Sequence, residues 1–112
     1  MVDLVKDIDK FYTQFGYPSQ KRPCIPTSQQ DLIKFRVNFL QEELDELKES
    51  IKTEKIDDAL DALVDIVYVA LGTAWHFNLP FERAWQVVHQ ANMAKLPGKT
   101  KRHYQDLSLI HI

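Results

Sequence analysis

A chain of 112 residues, 45% hydrophobic and 27% charged, is long enough for one folded unit with a modest core and too apolar for a disordered one. Its formal net charge of −2 leaves no electrostatic footprint for nucleic acid or an acidic membrane surface. Cys24 is the only cysteine, which excludes an intrachain disulfide and argues against a Cys/His zinc site.

Val2 to Phe15 reads as a helix. Val5, Ile8, Phe11, Tyr12 and Phe15 recur at three and four residues, and Gly16 supplies a stop. Met1-Val2-Asp3 enters this pattern directly, without the layout of a signal peptide. Tyr17 to Ser28 holds Pro18, Pro23 and Pro26, so it reads as a stiff strap rather than a flexible linker. Ser28 and Asp31 resemble a capping box and start a second helix that runs to about Lys52. Thr53 to Lys55 is a short polar turn, which favours antiparallel neighbours. The third helix runs from about Lys55 to Phe77, with Asn78 as a left-handed cap. Pro80 suits the first turn of a fourth helix that reaches about Lys95. The expectation is an all-α, four-helix domain over residues 1–97, with an unassigned tail at 98–112. The longest apolar run, Ile66 to Leu71, is far too short to cross a bilayer, so a soluble, cytoplasmic protein is expected.

The third helix is apolar nearly all round, which predicts a buried helix. Yet Asp58, Asp61 and Asp65 fall within roughly 60° of one another on it, and Tyr68 and Gly72 continue the line. Buried carboxylates are costly unless paired or bound to metal. No Lys or Arg occurs between Lys55 and Arg83 to pair with them. The second helix carries an apolar stripe at Ile33, Val37, Leu40, Leu44, Leu47 and Ile51. Glu42 and Glu46 lie opposite that stripe, Glu43 on its shoulder, and Phe35 and Phe39 share the acidic sector. Two facing helices with carboxylates gripping a divalent cation reconcile these patterns, and all-oxygen ligation suits Mg²⁺ or Mn²⁺. A solvated acidic face is the plainer reading of Glu42, Glu43 and Glu46 taken alone.

On the fourth helix His89, Asn92 and Lys95 follow one another at about one turn. They read as phosphate-binding groups or as an ordinary polar face ending in a dipole-favoured Lys. The aromatics are core by default, with one or two available to stack on a base. His76 reads as structural, and Cys24 has no evident base and no role.

Glu42-Glu43-Leu44-Asp45-Glu46 resembles the EExxE motif of the MazG-like, all-α nucleoside triphosphate pyrophosphohydrolases. The stretch Asp65 to Ala74 is similar to the second-motif helix of that superfamily, and Val88 to Lys95 to its third element. The lead-in Phe15-Gly16-Tyr17-Pro18 and Arg22 to Pro26 also resembles the branch related to phosphoribosyl-ATP pyrophosphohydrolase and the dimeric dUTPase-like enzymes. The likeness covers roughly Phe11 to Pro97. The resemblance implies a four-helix-bundle-like fold assembled as a homodimer or homotetramer. It also implies Mg²⁺-dependent attack by water at the α-phosphorus of a nucleoside triphosphate, most simply a deoxynucleoside one, releasing pyrophosphate. Glu43, Glu46, Asp61 and Asp65 are the expected metal ligands, with Asp58 as an outer candidate. Glu42 would orient or deprotonate the water, so Glu42, Glu43 and Glu46 form the expected catalytic set. His89, Asn92 and Lys95 would hold phosphate oxygens, and Tyr68 the sugar or a phosphate. One departure stands out. The family's second motif is usually ExxD, and with Asp65 as its Asp the Glu position falls on Ala62, so Asp61 is the natural replacement. That departure keeps a non-catalytic nucleotide- or metal-binding module in view, and a purely structural bundle is the third class. Phosphoribosyl-ATP is the alternative substrate, although the N-terminal loop resembles the nucleotide-pool branch more closely. A house-cleaning role in nucleotide metabolism follows from the likeness alone.

Overall fold

In the computed structural model, which describes residues 1–95, four helices follow one another: α1 (Leu4–Gln14), α2 (Gln30–Lys52), α3 (Ile56–His76) and α4 (Phe81–Met93). No strand occurs among the described residues, so the all-α expectation holds. The predicted tail lies outside them. Helix boundaries fall within about two residues of those read from periodicity.

Each end has a physical cause. Asp3 caps α1, its carboxylate accepting the Lys6 N–H at 3.1 Å. Gly16, at φ +74°, turns the chain away at the other end. The proline strap is fixed, as expected. Gln20 N–H donates to the His76 carbonyl at 3.0 Å, Cys24 N–H to that of Phe77 at 3.2 Å and the Ser19 hydroxyl to that of Trp75 at 2.7 Å. The bonds to His76 and Phe77 satisfy carbonyls that the end of α3 leaves without a helical partner. The expected capping box does not form: the cap of α2 is Gln29, without a side-chain bond. Local turn bonds occupy that stretch instead, with Gln29 N–H on the Pro26 carbonyl and the Gln30 side chain on that of Thr27. Glu54 and Asn78 both take φ +55°, closing α2 and α3, and Pro80 becomes the cap residue of α4.

The core lies where α1 meets α3. Ile8, Tyr12 and Leu71 are buried there, with Val5, Trp75 and Phe81 packed against them. Phe11 and Phe15, on the same predicted stripe, stay exposed. At the α2–α3 seam the pattern departs from expectation. The buried residues of α2 are Arg36, Glu43 and Ser50, spaced by seven, and α3 answers with Ala62, Val69 and His76 at the same spacing. A repeat of seven keeps one line of each helix on its neighbour. Gly72 permits the close approach, since a Cβ there would collide with the Tyr12 hydroxyl and lie 2.8 Å from Arg36 Nη2.

The predicted apolar stripe of α2 points elsewhere: Val37, Leu44 and Ile51 are exposed. Nor is α3 buried all round, for Ile56 is 81% and Leu60 62% exposed, and Leu63, Val64 and Val67 are exposed with them. Periodicity identifies residues that share a face. It does not identify which face the same chain covers. By length and composition α3 could also cross a bilayer, yet it carries Asp57, Asp58, Asp61 and Asp65 and packs against α1 and α2.

Candidate active site

The antiparallel turn at residues 53–55 sets the middle of α2 beside the first half of α3. Glu43 and Glu46 are three residues apart and share a face of α2. Asp65 meets them from α3, and one carboxylate oxygen from each of the three lies within 4.8 Å of the others. Glu43 is buried, Asp65 half-buried and Glu46 exposed, so the group opens to solvent on one side. Burial pushes the Glu43 carboxyl above its usual range, and the negative charges of Glu46 and then Asp65 push it further. Its Oε2 is sealed from solvent and has no hydrogen-bond partner among the described residues.

Three carboxylates that repel one another around an orphaned buried oxygen fit a divalent cation. Bound there, the cation would take its oxygens from Glu43, Glu46 and Asp65. Asp61 and Asp58 are not in this group. Both are exposed on α3, whose inward line toward α2 runs through Ala62 and Val69. Glu42 is exposed beside the group, about 100° round the helix from Glu43. Ala62, at the position where the motif expects Glu, is 1% exposed and serves the seam.

Two of the three acids border a cavity of about 530 Å³. Glu43 and Asp65 line it together with Tyr68, Phe35, Phe39 and Tyr17. Phe35, Tyr17 and Tyr68 are exposed although large and flat, which suits a wall awaiting a ligand. Burial, then Tyr12 and Asp7, raise the Tyr68 hydroxyl above its ordinary pKa, so it remains a donor at neutral pH. His89, Asn92 and Lys95 are not brought to this cavity. They are exposed on or just after α4, which has no buried residue.

Two lining residues escaped sequence reasoning. Arg36 is buried, its guanidinium donating to the Tyr12 hydroxyl, the Val69 carbonyl and the Thr73 hydroxyl. It brings to α3 the cation that α3 itself lacks. Its position seven residues before Glu43, on the same line of α2, was the available signal. His76, read as structural, also lines the cavity, with Nδ1 3.1 Å from the Pro18 carbonyl.

A family model described as phosphoribosyl-ATP pyrophosphohydrolase matches residues 8–92. None of the curated proteins compared with the chain matches it.

Proposed function

The chain belongs to the phosphoribosyl-ATP pyrophosphohydrolase family, within the MazG-like all-α superfamily, and from that premise we propose that it hydrolyses a nucleoside triphosphate, most simply a deoxynucleoside triphosphate, to a monophosphate and pyrophosphate with Mg²⁺. The observation that carries this reading is the buried oxygen of Glu43, partnerless among the described residues, beside Glu46 and Asp65, with Glu43 and Asp65 lining an aromatic cavity. A divalent ion in that group supplies positive charge to the phosphate oxygens and lowers the pKa of a water; Mn²⁺ suits the same ligands.

The residues account for the rest. Water attacks the α-phosphorus, a new phosphorus–oxygen bond forms, and the bond to the bridging oxygen of the pyrophosphate breaks. Glu42, beside the acid group, takes the proton of the attacking water. Tyr68, kept protonated, donates to a sugar or phosphate oxygen. The exposed rings of Phe35 and Tyr17 exclude water from one side of the base. Asp61 and Asp58 add negative charge further along α3 and hold nothing directly.

A second copy of the chain completes the assembly, as a homodimer or homotetramer. The exposed Ile56, Leu60, Val64 and Val67 form an apolar face too large to leave in water, and His89, Asn92 and Lys95 reach the phosphates from α4 of that second copy.

Phosphoribosyl-ATP is the second reading of the substrate, favoured by the description of the matching family itself. Both are tested by one assay. The protein is incubated with Mg²⁺ and a panel of ribo- and deoxyribonucleoside triphosphates plus phosphoribosyl-ATP, and pyrophosphate is read against orthophosphate. Pyrophosphate from one or more compounds, lost in Glu46→Gln, is the expected result. Orthophosphate alone, or no product, contradicts the reading and leaves a binding module.

A further inference from the structure

We propose that Arg36 is a positioning residue: it fixes two separate groups of rings in the cavity wall relative to one another, and so sets the affinity for the flat, aromatic part of the ligand. The proposal rests on the nucleotide reading of the cavity and deepens it, without choosing among bases.

The rings that line the cavity fall into two groups. Phe11, Tyr12, Tyr17 and Tyr68 form one, on α1, the strap and α3, with Phe11 5.0 Å from Tyr12 and 5.6 Å from Tyr68, and Tyr12 5.2 Å from Tyr17. Phe35 and Phe39 form the other on α2, 5.8 Å apart. Among the described residues no ring contact joins the two groups. Arg36 touches both. Its guanidinium lies over the Tyr12 ring, 5.7 Å from the centre, and over the Phe39 ring, 5.6 Å from the centre. At such distances a cation is drawn to a ring face, more strongly when it is out of water, and Arg36 is 3% exposed.

The guanidinium is itself held. Nε donates to the Thr73 hydroxyl at 3.1 Å, and Nη2 to the Tyr12 hydroxyl at 3.2 Å and the Val69 carbonyl at 3.0 Å. The Thr73 hydroxyl spends its own proton on the Val69 carbonyl at 2.8 Å, so it faces Arg36 as an acceptor. Bonds at both Nε and Nη2 fix the plane of the group as well as its place. An ammonium has no such plane and cannot reproduce this. None of these partners is a carboxylate. A buried charge of this kind is a poor device for stability, since apolar side chains of similar volume usually serve as well or better. What it supplies here is a fixed link between α1, α2 and α3 at the cavity wall. A flat ligand gains from ring faces only at the right separation and tilt, and a wall set in advance lowers the cost of binding.

The test is calorimetric binding with Mg²⁺ of the α,β-imido analogues of the four common deoxynucleoside triphosphates, whose α–β bridge resists cleavage, and of inorganic triphosphate, which has no base. In the parent at least one analogue is expected to bind at least about tenfold more tightly than inorganic triphosphate. In Arg36→Lys that margin should shrink to less than about threefold, with the affinity for inorganic triphosphate and the helix content unchanged. Thr73→Val gives a second, milder arm. Thr73 does not line the cavity, and the change removes only the hydroxyl that receives Arg36 Nε, so any narrowing of the margin there acts through Arg36. A margin kept in both variants, a loss of inorganic triphosphate binding in equal proportion, or a parent without any margin overturns the proposal. A margin that depends on Arg36 without pyrophosphate release from the natural compounds would defeat the hydrolase reading alone. Pyrophosphate release with the margin intact in Arg36→Lys would defeat the positioning role alone.

Discussion

Glu43 carries the tension in the structure. Its carboxyl is buried, faces two other carboxylates and holds an oxygen without a hydrogen-bond partner among the described residues. Its folded pKa lies above the ordinary 4.5. Below that value both folded and unfolded chains are protonated and the contribution to stability is fully present. As pH rises through the folded pKa the carboxylate must ionise in place, and the contribution is lost. The melting temperature of metal-free protein is therefore expected to pass through a decline as pH rises above 4.5 through the Glu43 titration. Added Mg²⁺ should remove that decline, because ligands that have lost their protons bind it. His76 acts in the opposite sense. Its pKa is held below 6.5, so its contribution is complete above 6.5 and fades as pH falls through the folded value. Thermal melts across this range with and without Mg²⁺ check both signs. A melting curve indifferent to Mg²⁺ at neutral pH would count against the site.

At the level of the helices, the close contact of α3 with α1 and α2 depends on Gly72. A methyl group there would press on the Tyr12 hydroxyl and Arg36 Nη2, both of which are tied into the same bonded cluster. Gly72→Ala is expected to destabilise the fold by about 1–3 kcal/mol despite its better helix propensity, lowering the melting temperature by several degrees. A variant as stable as the parent would show that the cluster yields easily. The same cluster marks where sequence reasoning stopped. The first three helices were legible because each had a strong period and a local stop, at Gly16, at the polar turn Thr53 to Lys55 and at Asn78. Glu43, Glu46 and Asp65 could be picked out because acids on apolar helices demand an explanation. Asp61 was also expected in the group, but the buried position of α3 at that level is Ala62, and Asp61 is exposed. Arg36 was overlooked for a related reason. Its neighbours Phe35 and Val37 looked more like core, and only the packed pair of helices shows that the polar line Arg36, Glu43, Ser50 faces inward.

For the whole molecule, the question is what covers the outward faces. Ile56, Leu60, Leu63, Val64 and Val67 on α3 and Val37, Leu44 and Ile51 on α2 are exposed in the single chain. Such residues gain about 25 cal/mol for each Å² of apolar surface removed from water, and a second copy offers the same surface in return. Val67→Lys is expected to shift the protein from oligomer to monomer in light scattering. If His89, Asn92 and Lys95 of a second copy reach the phosphates as proposed, it should also lower turnover at least about tenfold. A parent protein that is monomeric at working concentration would contradict this arrangement while leaving the acid group untouched.

Glu43, Glu46 and Asp65 are proposed to hold a divalent ion, and everything at the phosphate end depends on it. Titration calorimetry of Mn²⁺ and Mg²⁺ into metal-free protein at neutral pH measures this without any substrate. The expected result is saturable binding in the parent that weakens by about tenfold or more in Asp65→Asn, with the helical content of the variant unchanged. Equal heats and affinities in the two proteins, or no binding in the parent, would contradict it.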